Sequence, residues 1–256
     1  MSTLRHGVYM MNRHLLNLWR QPIWIAVTIV QPVIWLLLYG ALFKSVTRIP
    51  GFHSGSYIQF LTPGIVVMTA LFSSGWSGMA VIDDIDKGIL DRFLVTPVRR
   101  GSLVIGRVLN GTVQIVIQSL MIIALALIVG ARFPNAWGLA VLIALASLLA
   151  ASIGCLSVAF ALFARREETV IAGVNFVVLP LTFLSTTFMQ KSLIPPWIRH
   201  AASVNPVNWA VEAGRSAVLD GTDWGMVLTR LGLLAAFTAV CVALATRAFR
   251  TYQRAV

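Results

Sequence analysis

Long uninterrupted apolar segments constrain this chain more than any other feature of its sequence. The longest of them, Phe133–Ala164, contains no charged residue. A helix needs about 20 apolar residues to cross the hydrocarbon core of a bilayer. Only 11% of the 256 residues are charged and 58% are hydrophobic, whereas a soluble domain has roughly 25% charged residues. The sequence therefore predicts an all-α integral membrane protein.

Six segments are long and apolar enough to cross the membrane. Five carry no charge, and the last holds Arg230 about two turns from its start, from where the side chain can extend to the interface. We expect the six helices to belong to one transmembrane domain, residues 22–256. The predicted spans are Pro22–Phe43, Tyr57–Ile82, Val108–Ala131, Phe133–Ala164, Thr169–Gln190 and Trp224–Thr246.

The basic residues between the spans predict the orientation of the chain. With a cytoplasmic N-terminus, thirteen Lys and Arg residues fall on the inner side and seven on the outer side. Because positive charge accumulates in cytoplasmic loops, we expect both termini in the cytoplasm. The net charge of +11 then reflects orientation in the bilayer, and no nucleic-acid partner is expected.

Residues 1–21 are predicted to form a separate amphipathic helix. Such a basic helix lies flat in the headgroup region, although packing against another protein surface would produce the same pattern. Five residues form the apolar stripe and three lie opposite: Val8, Met11, Leu15, Leu18 and Trp19, then Arg13, Asn17 and Arg20.

The loop 83–100 holds eight of the 29 charged residues of the chain. Ile82, Ile85 and Ile89 recur at helical spacing, and Pro97 ends the pattern because proline disfavours a helical residue before it. The loop is predicted to be either a short amphipathic helix at the membrane surface or an ordinary solvated loop. Its candidate functional residues are Asp83, Asp84, Asp86, Lys87, Gly88, Asp91, Arg92, Thr96, Pro97 and Arg99.

The segment 191–222, before the last span, is too polar to cross a membrane and too apolar for a free loop. Its prolines divide it into two pieces, each able to form a helix. We expect a re-entrant helical hairpin on the outer face, or a folded external loop that rests on the headgroups. The residues that mark it are Pro196, Trp197, Asn205, Pro206, Glu212 and Arg215.

Polar residues inside the spans are candidates for a substrate pathway. Three of them repeat every fourth residue on the third span and so share one helix face. Hydrogen bonding between helices is the commoner role of such residues, so both roles stay open for this set: Asn110, Gln114, Gln118, Ser73, Ser77, Asn175, Thr182 and Thr186.

No motif in the sequence indicates catalysis. The chain lacks the glycine-rich loop, ending in Lys-Ser/Thr, that cradles ATP phosphates. Its four histidines are isolated from one another and from carboxylates or cysteines at metal-ligand spacing. No predicted span contains Asp or Glu, which argues against a proton- or sodium-coupled transporter. We expect no catalytic residue, metal or cofactor in this chain.

Two motifs make the sequence similar to the ABC-2 type permease family, the membrane subunits of bacterial ABC exporters. The similarity is greatest to the branch that includes the daunorubicin-resistance permeases. The first motif, Asp86–Pro97, has an acidic residue and a glycine before a helix ending in Leu-x-Thr-Pro, although the family commonly has Glu at Asp86 and Asp91. The second comprises Pro196-Trp197, Asn205-Pro206 and a helix from Glu212 to Arg215.

The resemblance implies a subunit of an exporter in the bacterial plasma membrane. The loop 83–100 would contain a coupling helix that docks on a separate ATP-binding subunit, present in two copies that hold ATP and Mg²⁺. Two permease chains, identical or related, would carry an amphiphilic drug, antibiotic or lipid outwards across the lipid bilayer. An ATP-independent channel or secondary transporter is the alternative. A membrane protein without a substrate, and export of polysaccharide, also stay open.

Overall fold

All regular structure in the described chain is helical, as the sequence predicts. The structure, a computed structural model, describes residues 22–45, 56–87, 101–219 and 221–254, with side chains in these ranges except at 22–29, 101–109 and 252–254. Helices satisfy their backbone hydrogen bonds internally, which a bilayer demands of any segment within it. The predicted amphipathic helix 1–21 lies outside the described residues.

The helices follow the apolar segments in chain order. A 3₁₀ turn at Trp76–Gly78 joins the second and third, and another at Lys191–Leu193 precedes the seventh. They are α1 (Pro22–Leu42), α2 (Tyr57–Gly75), α3 (Met79–Asp86), α4 (Gly101–Ile128), α5 (Ala136–Ala164), α6 (Glu167–Phe183), α7 (Pro196–Val204), α8 (Pro206–Val218) and α9 (Trp224–Arg254).

Four helical stretches in the described chain are long and apolar enough to cross a membrane. These are Tyr57–Asp86, Asn110–Ile128, Ala136–Ala164 and Trp224–Thr251, and they correspond to the second, third, fourth and sixth predicted spans. The first predicted span corresponds to α1. The apolar stretch of α1 with described side chains is shorter than a membrane-spanning helix. The fifth differs from expectation, because α6 ends at Phe183 and the chain continues as an irregular segment through residues 184–190.

Helix α5 is the centre of the bundle and packs against α2, α4, α6, α8 and α9. Its sequence is rich in Ala, Gly and Ser, which allow neighbouring backbones to approach closely. Leu142, Leu145 and Leu149 are fully buried along its length. They give the bundle a continuous apolar core while the small residues between them bring the other helices near.

Helix α8 is too short to span a membrane, yet it is buried on nearly all sides between α2, α5 and α9. Ala210, Ala213, Gly214 and Ala217 form a surface of small residues that permits this insertion. A methyl group at Gly214 would lie 2.5 Å from Leu142 Cδ1. The second piece of the 191–222 segment is therefore packed into the bundle and is not laid over it.

Contacts around α7 and α8 define one end of the bundle, here called the hairpin end. They join Tyr57 Oη to Phe188 O (3.0 Å), Gln59 Nε2 to Arg132 O, Asn135 Nδ2 to Ala217 O (3.3 Å) and Arg230 Nη2 to Glu212 Oε2 (3.3 Å). The aromatic rings of Tyr39 and Phe188 also stack there. The end of α1 and the segment that follows α6 thus lie at the same end of the bundle as the first turns of α2, α5 and α9. At the opposite end, the loop end, α3 packs against α5 and α6.

The close contact between α5 and α8 predicts a strong effect of Gly138→Ala. A methyl group at Gly138 would lie 1.9 Å from Ala217 O, a backbone atom that cannot move aside. We expect a loss of about 1–3 kcal/mol of stability, measured as a lower apparent Tm in detergent. Gly111→Ala on α4 is the matched control, because nothing lies within 4 Å of the added methyl. An equal Tm for the two variants would contradict the prediction.

Candidate coupling segment and polar sites

Helix α3 carries the beginning of the predicted coupling loop. Ile82 and Ile85 face the bundle, whereas Asp83 and Asp86 are exposed, as the helical spacing predicts. Lys87 Nζ donates to Asp83 Oδ2 at 2.6 Å, and this hydrogen bond raises the pKa of Lys87.

Of the other predicted coupling residues, only Asp84 lies within the described ranges. Asp84 lies beside Asp83 in the last turn of α3. The rest of the predicted docking surface, including the proline that would end its helix, lies outside the described residues and stays a prediction: Gly88, Asp91, Arg92, Thr96, Pro97 and Arg99.

Two hydroxyl groups, those of Ser157 and Ser77, attach the 3₁₀ turn between α2 and α3 to α5. Ser157 Oγ donates to Gly75 O and accepts from Gly78 N at 3.0 Å, so it pairs backbone groups on both sides of the turn. A Cβ at Gly78 would lie 2.6 Å from Ser157 O. Ser77 Oγ also donates to Gly154 O at 3.3 Å. The segment that leads to the loop 83–100 is thereby attached to the central helix.

Two of the predicted pathway residues meet between α2 and α4. Ser73 Oγ donates to Gln118 Oε1 at 3.1 Å. Gln118 Nε2 and Asn110 Oδ1 are buried and have no hydrogen-bond partner within the described chain, while Gln114 is half-buried. A stripe of amides therefore runs along α4 with part of its hydrogen-bonding capacity unused.

The remaining predicted pathway residues make contacts elsewhere. Asn175 and Thr182 bond back to carbonyls of their own helix, those of Ile171 and Val178, a common arrangement for polar side chains in helices. Thr186 belongs to the irregular segment after α6. None of these hydrogen bonds joins the amide stripe of α4.

The hairpin residues form the two helix starts and the links to α6. Pro196 and Pro206 are the first residues of α7 and α8, positions where the missing N–H of proline costs nothing. Asn205 Oδ1 accepts from Val207 N at 2.9 Å and caps α8. Its Nδ2 donates to the carbonyls of Leu181 and Leu184 at 2.7 and 2.8 Å. Trp197, in contrast, is 66% exposed.

The guanidinium of Arg215 donates hydrogen bonds to the irregular segment that follows α6. Its Nη2 donates to Thr186 O at 3.0 Å and Thr187 O at 3.2 Å, and its Nε donates to Phe60 O at 3.3 Å. The guanidinium also lies over the Phe60 ring, 3.6 Å from its centroid. The bonds to Thr186 and Thr187 give a donor to two carbonyls of the irregular segment that follows α6, and the bond to Phe60 ties Arg215 to α2.

Asn208 completes the arrangement from the next turn of α8. Its Oδ1 accepts from Thr186 N at 3.0 Å and from Thr186 Oγ1 at 2.7 Å. Two residues of α8, Arg215 and Asn208, are thus hydrogen-bonded to the segment that follows α6.

Glu212 connects the hairpin to the last long helix and to the segment before α7. Its Oε2 pairs with Arg230 Nη2 and its Oε1 with Lys191 Nζ, both at 3.3 Å. Sequence reasoning marked Glu212 but missed both partners, and it also missed Ser157 and Asn208. One signal in the sequence indicated an ion pair. Arg230 lies inside an apolar segment, and the hairpin that precedes this segment carries the carboxylate of Glu212.

The geometry predicts that Arg215→Lys destabilises the protein although it keeps the charge. An ammonium cannot bond three separated carbonyls while lying flat on Phe60. We expect the apparent Tm in detergent to fall by about 4–8 °C, since roughly 2 kcal/mol is lost when buried carbonyls lose their donor. Arg199→Lys is the control, because Arg199 is exposed and makes one bond, to Ile194 O. Equal shifts for both variants would refute the role of Arg215.

Comparison with known proteins identifies the family. The ABC-2 type transporter family matches residues 7–219. The relative ycf38 of Cyanophora paradoxa, named a transport permease, is 32% identical over 205 residues, which cover 79% of this chain and 70% of the relative. The daunorubicin resistance ABC transporter permease protein DrrB1 of Streptomyces coeruleorubidus is 27% identical over 248 residues, 90% and 84% of the two chains. The inner membrane transport permease YadH of Escherichia coli strain K12 is 27% identical over 224 residues, 84% of each chain.

These relatives are named as permeases, and the family match covers the amide stripe, the 3₁₀ turn and both helices of the hairpin, α7 and α8. The apolar helices of this protein are those that a multi-pass membrane subunit requires. The protein belongs to the ABC-2 type transporter family and is a transport permease subunit.

Proposed function

We propose that this chain is the membrane subunit of an ATP-driven exporter that moves an amphiphilic drug, antibiotic or lipid outwards. The observation that carries the proposal is the exposed acidic end of α3, which leads into the loop 83–100 within a chain of the ABC-2 family. A charged helix end beside a membrane bundle is a suitable contact for a soluble partner. Energy would come from a separate ATP-binding subunit.

The proposed topology has six crossings, with both termini in the cytoplasm and residues 1–21 on the inner membrane surface. The contacts at the hairpin end support it, because α1 and α6 end there while α2, α5 and α9 begin there. Residues 184–190 would complete the fifth crossing after α6. The hairpin 191–222 would then be re-entrant from the outer face of a bacterial plasma membrane.

The proposed assembly contains two permease chains and two ATP-binding subunits. The exposed apolar side chains of α1 and α6, among them Leu38, Leu42, Phe176 and Phe183, support it because they need cover from lipid or from a second permease chain. ATP and Mg²⁺ would bind to the partner subunits. This chain would supply no catalytic group and no metal ligand.

Motion of a docked ATP-binding subunit would reach the bundle through α3. The loop 83–100 continues directly from α3, and α3 joins α2 through the turn that Ser157 holds against α5. A displacement of the loop therefore acts on α2 and α5 together. In this scheme Asp83, Asp84, Asp86 and Lys87 transmit force and do not catalyse.

The substrate class rests on one relative and on composition. DrrB1 is named for daunorubicin resistance, which supports export of a drug or another amphiphile. The apolar, hydroxyl-containing helices of this chain would accept such molecules. The stretches Tyr57–Ile82, Asn110–Ile128, Ala136–Ala164 and Trp224–Thr251 contain no Asp or Glu. This absence weighs against an ion-coupled transporter, the alternative function.

Charge reversal in the loop tests the proposal. We expect Asp91→Arg to reduce copurification of the ATP-binding subunit encoded beside this gene by about tenfold, because an acidic contact becomes repulsive. ATP-dependent export in proteoliposomes should fall with it, and Gly88→Pro should also uncouple export. Glu168→Arg is the control, since it makes the same charge change at an exposed position at the start of α6.

Two results would overturn the proposal. One is wild-type permease that binds no ATP-binding subunit and transports without ATP, which would favour a channel or secondary transporter. The other is an Asp91→Arg variant, paired with the Glu168→Arg control, that leaves both copurification and export unchanged. Insertion of each variant into the membrane would be verified first by its yield from the membrane fraction.

A further inference from the structure

The amide stripe of α4 leaves hydrogen-bonding atoms unmatched in the middle of the bundle. Gln118 is only 5% exposed and lies at the centre of the membrane-length stretch Asn110–Ile128. Ser73 bonds its Oε1, but within the described chain its Nε2 has no acceptor, and Asn110 Oδ1 has no donor. Exchanging the oxygen and nitrogen of Gln118 does not remove the deficit, because one amide atom is again left over.

Unmatched atoms of this kind are costly inside a bilayer, where hydrocarbon offers no partner. Other polar side chains of the same bundle are paired. Ser152 Oγ lies 2.8 Å from Thr238 Oγ1 between α5 and α9, and Ser157 bonds both sides of the 3₁₀ turn. Gln118 therefore differs from the residues that serve helix packing alone, and its free capacity fits a partner from outside the chain.

We propose that Gln118 and Ser73 bind the uncharged polar group of an amphiphile between α2 and α4, and that Asn110 lies on the path by which this group arrives. This inference rests on the proposed export function and specifies its substrate class. An amide N–H donates to a hydroxyl or carbonyl oxygen, and an amide oxygen accepts from a hydroxyl. The ligand is thus an amphiphile with a hydroxyl- or carbonyl-bearing head, such as a glycosylated lipid.

The surroundings of Gln118 select against a charged head. Neither α2 nor residues 108–128 of α4 include a charged residue, and Arg107 of α4 precedes Gln118 by about 16 Å along the helix axis. Arg230 of α9 is paired with Glu212 at the hairpin end. An ammonium or phosphate group at Gln118 would lack a counter-charge, which is strongly unfavourable in an apolar bundle.

The stripe also describes a route for the head group. Asn110, Gln114 and Gln118 follow one another at intervals of about 6 Å along the axis of α4, and Asn110 is the one nearest the start of the helix. A polar group that enters near the loop end could exchange hydrogen bonds from one amide to the next. It would reach the centre of the bundle without being left unsolvated.

The test compares two fluorescent amphiphiles that have the same acyl chains and differ in the head group. One carries a glucosyl head and the other a trimethylammonium head. Both are titrated against the purified full-length permease in nanodiscs without any ATP-binding subunit. Wild type is expected to bind the glucosyl probe at least about tenfold more tightly than the trimethylammonium probe. Desolvation of the trimethylammonium charge, or a few hydrogen bonds to the glucosyl head, would produce a difference of this size.

The double variant Ser73→Ala/Gln118→Met removes both polar partners and preserves the side-chain volume of Gln118. It should weaken binding of the glucosyl probe about three- to tenfold and leave binding of the trimethylammonium probe unchanged. Its apparent Tm should equal or exceed that of wild type, because apolar replacement of both partners also removes the unmatched amide nitrogen. The control Ser152→Ala/Thr238→Val removes a satisfied pair and should leave binding of both probes unchanged.

Equal affinity of wild type for the two probes, or binding of neither, would overturn the inference. So would unchanged binding of the glucosyl probe by the Ser73/Gln118 variant. A lower Tm with both probes weakened would assign Gln118 to helix packing and would also overturn it. The binding assay contains no ATP-binding subunit, so its result does not depend on ATP-driven export. A failure of export in the separate transport test would count against the proposed function alone.

Discussion

The contact of the Arg215 guanidinium with three backbone carbonyls determines how the hairpin end of the bundle is built. A carbonyl that leaves a helix inside the bundle needs a protein donor in place of the missing amide. Arg215 supplies three bonds from one rigid group and covers Phe60 with its flat face. Asn205 and Asn208 add bonds to the same segment. The break after α6, the insertion of α8 and the approach of α2 are therefore aspects of one polar arrangement.

A second and smaller polar arrangement stands nearer the loop end. Ser157 pairs the backbone groups that the 3₁₀ turn frees, and Gly78 allows the close approach that this requires. The two arrangements have the same physical basis, since each interrupts a helix and satisfies the freed groups from a neighbouring helix. They differ in their position along the bundle. One fixes the hairpin among the long helices, and the other fixes the segment that leads towards the loop 83–100.

Much of the fold was predictable because bilayer-spanning helices must be long and apolar. The predicted second, third, fourth and sixth spans match the observed helices to within a few residues at most ends, and the prolines at 196 and 206 marked the starts of α7 and α8. The end of α6 could not be predicted. Residues 184–190 contain no charge, proline or glycine that would end a helix, and side chains that bond their backbone come from α8, a distant part of the chain. The partners of Gln118 and Glu212 were hidden for the same reason, because they come from distant parts of the chain.

The sequence by itself determined that this is a helical membrane protein, which segments are apolar, and which family motifs it carries. Those properties follow from local composition and spacing, and they need no knowledge of which helices touch. Tertiary structure alone decided which polar residues are satisfied and which are not. Arg215, Ser157 and Gln118 all appear in the sequence as polar residues within apolar surroundings. Their difference lies in the groups within hydrogen-bond distance, and packing across the bundle sets that distance.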